Sequence, residues 1–325
     1  MNAWRGIDPV EASNRLAVLE KKLEYCDEML SIHDELLQDE PDSVAYGLSS
    51  LGIKDLRREV QNEIVQLMMH RIYEPVSVEI KGSGFDFKSA NIRALSRFMN
   101  GLQSLFTSIY QSVTVGPKNS GRFSKDIELN STLHLSRVYE SSFGMDLFVE
   151  TDTNLLPQNP VIESFSTLFD ALNNLTSNYD EFMSSAAVMG KRSIDGLHEV
   201  VSCLADYNAN ISVKWQRPSG GSENWIAKAD TLSDVVLRTD LIKIEEVIKR
   251  EIRGKLLGAS LIKRKFELLT GDGETIAGKV PMVLLDSITD CFAKECVAFV
   301  TERRIIDQLS GKVQSSVSLD KIKKR

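Results

Sequence analysis

The sequence holds few of the residues that build common redox and hydrolytic sites. Of 325 residues, four are cysteine and four are histidine. Cys26, Cys203, Cys291 and Cys296 are scattered through apolar stretches with no CxxC pair. That excludes a disulfide framework and implies four thiols in a reducing cytoplasm. His198-Glu199 near Cys203, and Cys291 with Cys296, fall short of the paired spacing of structural zinc. We therefore expect no metal and no cofactor. No serine lies in GxSxG, so a nucleophile elbow is absent. No apolar run approaches about eighteen residues, and the start, MNAWRGIDPVEASNRL, lacks a basic segment followed by an apolar one. Neither a membrane span nor a signal peptide is expected. Low-complexity tracts and internal repeats are also missing.

What remains is ordinary for globular protein, 42% hydrophobic and 26% charged, on a chain long enough for two or three domains. The net charge of −7 is uneven. Residues 1–75 carry 8 basic against 15 acidic side chains, 76–240 carry 14 against 19, and 241–325 carry 17 against 12. An acidic front is a poor platform for nucleic acid, whereas the basic tail leaves that partner open.

The chain is organised around a stretch from Ser89 to Thr114. Ile92, Leu95, Met99, Leu102, Phe106, Ile109 and Val113 recur in steps of three and four. This predicts a core helix with one apolar face, lying across a sheet made by the alternating segments on either side.

Residues 1–74 read as a helical hairpin. Asp8 is placed to cap a helix that starts at Pro9. Leu16, Leu19, Leu23, Cys26, Leu30, His33 and Leu37 follow a seven-residue rhythm. Such a seam suits a coiled coil or one arm of a hairpin. The second arm carries Leu56, Val60, Ile64, Leu67 and Arg71 on one side. Either the two arms bury the seam between them, or Leu16, Leu19, Leu23, Leu30 and Leu37 pair with another copy or a protein partner. His33 reads as a tolerated polar position on the seam.

Residues 75–230 read as a mixed α/β middle domain. Val76, Val78 and Ile80 alternate with Ser77, Glu79 and Lys81 in a half-buried strand, and GSG at Gly82–Gly84 turns into the central helix. After the loop GPKNSGR we expect a strand with Ile127, Leu129, Leu133 and Leu135 on one face. A turn at Ser141–Gly144 and a strand at Met145–Glu150 follow. Three helices begin after Asn159-Pro160. A hairpin of Ile211, Val213 and Trp215 returns at Trp225 after a loop holding Gly220-Gly221.

Residues 231–325 read as a linker helix, about Thr231–Arg250, and a small β-barrel. Strands are expected at Ile252–Ala259, Arg264–Leu269 and Thr275–Val280, a helix at Met282–Thr289, and strands at Cys296–Arg304 and Lys312–Leu319. GDG at Gly271–Gly273 marks a tight hairpin. Three strands, a helix and two strands is the order of an OB-type barrel. The fold class is thus α+β, with an N-terminal helical hairpin, a mixed middle domain and an OB-like C-terminal barrel.

Gly254, Leu256, Phe266-Glu267-Leu268, Gly273, Ile276, Gly278, Leu319 and Ile322, over about a fifth of the chain, carry a resemblance. They resemble a small-barrel module at the ends of uncharacterised bacterial proteins. The resemblance implies a prokaryotic or mobile-element protein from a phage-defence context and brings no chemistry with it.

Three constellations bear on function. Glu79-x-Lys81 is half of a PD-(D/E)xK nuclease site, which needs a second acid to hold Mg²⁺, and no aspartate stands on a preceding strand. GPKNSGR spaces its glycines like a phosphate loop but lacks the lysine followed by serine or threonine. Lys263, Arg264, Lys265, Arg303 and Arg304 on barrel strands, with Lys321, Lys323, Lys324 and Arg325, read first as solvated charge and, if the five strand cations line one groove, as a contact for single-stranded nucleic acid. Phe266, Phe292 and Phe299 read as core, and alternation makes Lys263 and Lys265 the outward pair. The expected function is a non-enzymatic assembly or adaptor subunit, with nucleic-acid binding second and a degenerate nuclease third.

Overall fold

The computed structural model describes residues 4–324 except 41–42, 69, 87–88, 141, 152–158, 218–220, 262 and 309, and leaves out the side chains of 9, 39, 140 and 243–247. Ser141, Gly220 and Arg325, named above, lie outside the described residues.

The chain builds a helical pair, a sheet-and-helix body and a barrel. Helices α1 (Pro9–Asp39) and α2 (Val44–Met68) run antiparallel, as the ion pairs Arg15–Glu63 and Asp27–Arg57 require. Asp8 accepts from the amides of Val10 and Glu11, with Pro9 opening the helix. Leu16 and Leu19 are buried with Val60, Ile64 and Leu67 in a core of their own. At Leu16 and Leu19 the seam is closed by α2. His33 is buried on it, donating from Nδ1 to the Met29 carbonyl at 2.8 Å.

The body opens with β1 (Tyr73–Lys81), a two-residue pair β2 (Phe85–Asp86) and β3 (Ser89–Ala90), and then α3 (Ile92–Thr114). Next come α4 (Lys125–Asn130), β4 (His134–Glu140), β5 (Phe143–Glu150), α5 (Pro160–Ser177), α6 (Tyr179–Met189) and α7 (Lys191–Asp206). It closes with β6 (Asn210–Gln216), β7 (Ser222–Ala227) and α8 (Ala229–Asp240). The sheet has the order β4-β5-β1-β6-β7 and is antiparallel throughout, with β1 at its centre. Val76, Val78 and Ile80 point into the core, as the alternation predicts. Helices cover that face. Phe165 and Phe169 of α5 stack on Trp215, and Phe106 of α3 meets Phe165 with ring centroids 4.6 Å apart.

Helix α3 is central as expected, but its most deeply buried line is shifted. Ala94, Phe98, Gly101 and Leu105 are buried, whereas Leu95, Met99 and Leu102 are partly covered and Ile92 is 84% exposed. The cause is α7, which crosses so closely that a Cβ at Gly196 would stand 2.8 Å from the Leu105 amide nitrogen. Small residues make that approach, and a count of large apolar residues passes over them.

Two other expectations are corrected. The strand expected over Ile127–Leu135 is α4 followed by β4. The Ser124 side chain accepts from the Ile127 amide, and Asp126 and Glu128 in the first turn suit the positive end of the helix. The helix expected to run to Arg250 ends at Asp240, and α8 belongs to the body, where Leu232 and Val235 join the core. From there β8 (Ile242–Ser260) runs beside β11 (Glu295–Asp307), paired from Ile242 opposite Asp307 to Lys255 opposite Glu295 with one register shift between Arg304 and Ile305. A long partner strand overrides the local helix preference of a Glu/Lys-rich segment.

With β9 (Lys265–Thr270), β10 (Thr275–Lys279) and β12 (Val313–Lys324), these strands close a barrel in the order β10-β12-β11-β8-β9. A single 3-10 turn and α9 (Leu285–Cys291) stand between β10 and β11. Only β10 and β12 pair in parallel. Leu256, Phe266, Leu268, Leu319 and Ile322 fill the interior. Among the described residues, no helix is long and apolar enough to cross a membrane.

A Cβ at Gly254 would lie 2.1 Å from the Leu269 carbonyl oxygen, whereas one at Gly52, on the exposed side of α2, meets nothing within 4 Å. Gly254→Ala should lower stability by about 3 kcal/mol through forced strand separation. Gly52→Ala should raise it by roughly 0.5–1 kcal/mol. Denaturant melts of the two variants check both signs.

Candidate interaction sites

The five barrel cations do not form one groove. Lys263 and Lys265 are exposed and Arg264 is buried with Phe266 and Leu268, as alternation predicts. Arg303 is buried too, and Arg304 is partly covered and paired with Glu302. Arg264 and Arg303 turn toward the body instead of solvent. Arg264 donates from Nη1 to the Val113 carbonyl at 2.9 Å and from Nη2 to Glu163. Val113 lies in the last turn of α3, whose carbonyls lack partners within the helix and where the helix dipole favours a cation. Arg303 donates from Nη2 to the Pro117 carbonyl at 2.9 Å, so the loop GPKNSGR is part of this seam. Burial holds the Arg303 guanidinium below its ordinary range, against the attraction of Asp320.

A different set of cations does face outward. On β11, Cys296, Ala298 and Val300 point into the barrel, whereas Val297 and Phe299 are partly exposed. Phe299 is therefore not core, and Phe292 is 49% exposed, both contrary to expectation; for Phe299 the alternation of its neighbours is the signal that would have shown it. Arg253 on β8 and Lys323 on β12 lie on either side of Val297, and Lys321 lies beside Phe299. Arg253, Lys255, Lys321, Lys323 and Lys324 are all exposed.

In the helical pair, Leu16 and Leu19 are buried by α2, while Leu23, Leu30 and Leu37 are partly covered. The apolar surface left open lies elsewhere. Val18, Tyr25 and Ile32 repeat at seven-residue spacing along α1 and are 55%, 59% and 42% exposed. Helix α2 has an outward line of its own in Val44, Leu48 and Leu51. The outer part of the pair is acidic, since residues 23–53 contain eight acidic side chains and no lysine or arginine, whereas Val18 has Arg15, Lys21 and Lys22 beside it.

Glu79 lies partly exposed on β1, opposite Gly144 and Ser212, and Lys81 is exposed. Pairing of β5 with β1 brings Asp146 to the same face, where it accepts from Ser77 Oγ at 2.8 Å and pairs with Arg137. An acid beside Glu79 thus comes from a later strand rather than an earlier one. Among the described residues, no group of three or more His, Cys, Asp or Glu side chains is arranged to hold a metal ion. The four thiols are unpaired and buried. An open groove of about 630 Å³ between α3 and α7 contains Arg97, which Glu199 and Asp206 hold by hydrogen bonds that raise its pKa. No family model, curated protein or solved structure matches this chain.

Proposed function

We propose that the protein is a non-enzymatic assembly or adaptor subunit of a bacterial system, working in the cytoplasm and joined to its partner by the N-terminal helices. The supporting observation is the exposed line Val18, Tyr25 and Ile32 on α1. Heptad-spaced apolar residues suit a helix laid alongside. The acidic charge around Tyr25 and Ile32 selects a partner segment that is amphipathic and basic over that part, and it opposes a second copy placed tip to tip. On this reading the seam of Leu16, Leu19, Leu23, Leu30 and Leu37 maintains the pair, while the outer line meets the partner. The four buried thiols and the absence of a CxxC pair support the reducing compartment. A barrel of the OB type, within the prokaryotic small-barrel group it resembles, is part of the same proposal. Its strand order, the parallel β10–β12 pairing and the helix before β11 support it.

Tyr25→Ser with Leu48→Ser should leave the melting curve within about 0.5 kcal/mol of wild type, as exposed positions do. The double variant should lose at least about tenfold in affinity for a lysine-rich amphipathic helical peptide, measured by fluorescence anisotropy. A dimeric wild type that this variant converts to monomer would make the occupant a second copy. A monomer that binds no such peptide would end the reading.

A second reading, single-stranded nucleic acid, is favoured by Phe299 standing beside Lys321, with Arg253 and Lys323 flanking the neighbouring Val297. Glu251, opposite Phe299, dilutes that charge. An aromatic platform near cations is the recurring device for stacking bases while neutralising phosphates. If it holds, Phe299→Ala should cost about 1–3 kcal/mol of oligonucleotide binding. Lys321→Glu with Lys323→Glu should flatten the log–log salt slope by about 0.7 for each phosphate no longer neutralised. An anisotropy titration at low salt that shows no binding removes it.

A further inference from the structure

Between the barrel and the body lies a small cavity whose polar lining is unbalanced. Its free volume is about 30 Å³, and Arg264, Lys279, Arg303, Thr167, Ser316 and Ser318 are among its walls. The Arg303 side chain is 6% exposed as a residue, yet its Nε and Nη1 have no hydrogen-bond partner. Its third nitrogen, Nη2, is the one that reaches Pro117. Arg264 is engaged by Val113 and Glu163. The Lys279 ammonium, half-buried at the end of β10, makes no hydrogen bond or ion pair with any described residue. Two cations with spare donors therefore line a space walled by hydroxyls; Glu163 is committed to Arg264, while Asp170 attracts Lys279 and Asp320 attracts Arg303 without a hydrogen bond to either.

We propose that this cavity binds one phosphate-class oxyanion, held by Arg303 Nε and Nη1, the Lys279 ammonium and the neighbouring hydroxyls. Orphaned guanidinium donors are costly to bury, and an oxyanion would satisfy two of them at once in the bidentate way that arginine favours. The volume takes one small anion and is too small for a nucleoside. A free phosphate and the terminal monoester of a larger molecule share this chemistry. An internal phosphodiester does not fit, because both of its bridging oxygens carry chain. Burial, with the nearby cations Arg264 and Lys265, holds the Lys279 ammonium below its ordinary pKa against the attraction of Glu163 and Asp170, a penalty that a bound anion would relieve. Since the ligand would touch β10 and β11 and, through Thr167, α5, its binding would tighten the barrel against the body.

The test is ligand-dependent stabilisation of the full chain. Thermal unfolding in phosphate, against chloride at matched ionic strength, should rise by a few degrees and saturate with concentration. Lys279→Met and Arg303→Gln should each abolish that rise, and Lys263→Met, at an exposed position beside the same strand, should keep it. Phosphorus NMR of inorganic phosphate should show line broadening by wild type that Lys279→Met removes, which keeps the test decisive if Arg303→Gln fails to fold. Saturation by a 5′-phosphorylated oligonucleotide, but not by its 5′-hydroxyl form, would identify the monoester as the source. Saturation by inorganic phosphate alone would identify the free ion. A rise that never saturates, or that survives Lys279→Met, is a general salt effect and overturns the proposal.

Discussion

The placement of the barrel on the body rests on Arg264 at the C-terminal end of α3. Its φ of 48° is in the left-handed region, which costs a non-glycine residue about 1 kcal/mol or more. The structure keeps that conformation because it delivers the guanidinium to a carbonyl in the last turn of the helix and to Glu163 of α5. Withdrawing the side chain would leave the buried Val113 carbonyl without its partner, a loss of about 1–3 kcal/mol. The backbone carbonyl of Arg264 also accepts from the Val280 amide, so one residue ties β10 to the loop entering β9 and the barrel to the body. Arg303 repeats the arrangement on Pro117, and Ser316 Oγ donates to the Ala187 carbonyl at 2.6 Å. The helical pair uses the same chemistry. Buried Arg71 reaches the carbonyls of Tyr73 and Gln216 and lies 3.5 Å from Glu74, which accepts from Trp215 Nε1.

These seams explain which parts of the fold are legible in the sequence. Local patterns can be read where one interface decides the pattern. The alternation of β1, the cap at Asp8, the GDG turn and the order of the barrel elements all depend on near neighbours. The exposure of Lys263 and Lys265 follows from the same kind of argument. Patterns mislead where a distant partner decides. The shifted face of α3 depends on α7, roughly a hundred residues later in the sequence. The extension of β8 depends on β11, and the burial of Arg264 and Arg303 depends on a helix end and a loop in another unit. A cation on a strand has no local mark that tells a solvated charge from one that caps a remote carbonyl. The missed site residues divide in the same way. Phe299 is recoverable from alternation, whereas Lys279 becomes a candidate only once two units meet.

Charge is segregated along with the units. The outer half of the helical pair is acidic with exposed apolar lines, and the outer barrel strands are basic with one aromatic. Surfaces of opposite sign on the two units each repel what the other attracts. In the body, aromatic packing runs from Phe106 of α3 through Phe165 of α5 to Trp215.

Differential scanning calorimetry of Arg264→Met against wild type tests the docking account most directly. Wild-type barrel and body should unfold in one transition. In Arg264→Met the barrel should separate and melt earlier, with its own enthalpy, while the body transition persists. A single transition at the wild-type midpoint in Arg264→Met would contradict the claim that this side chain couples the two units.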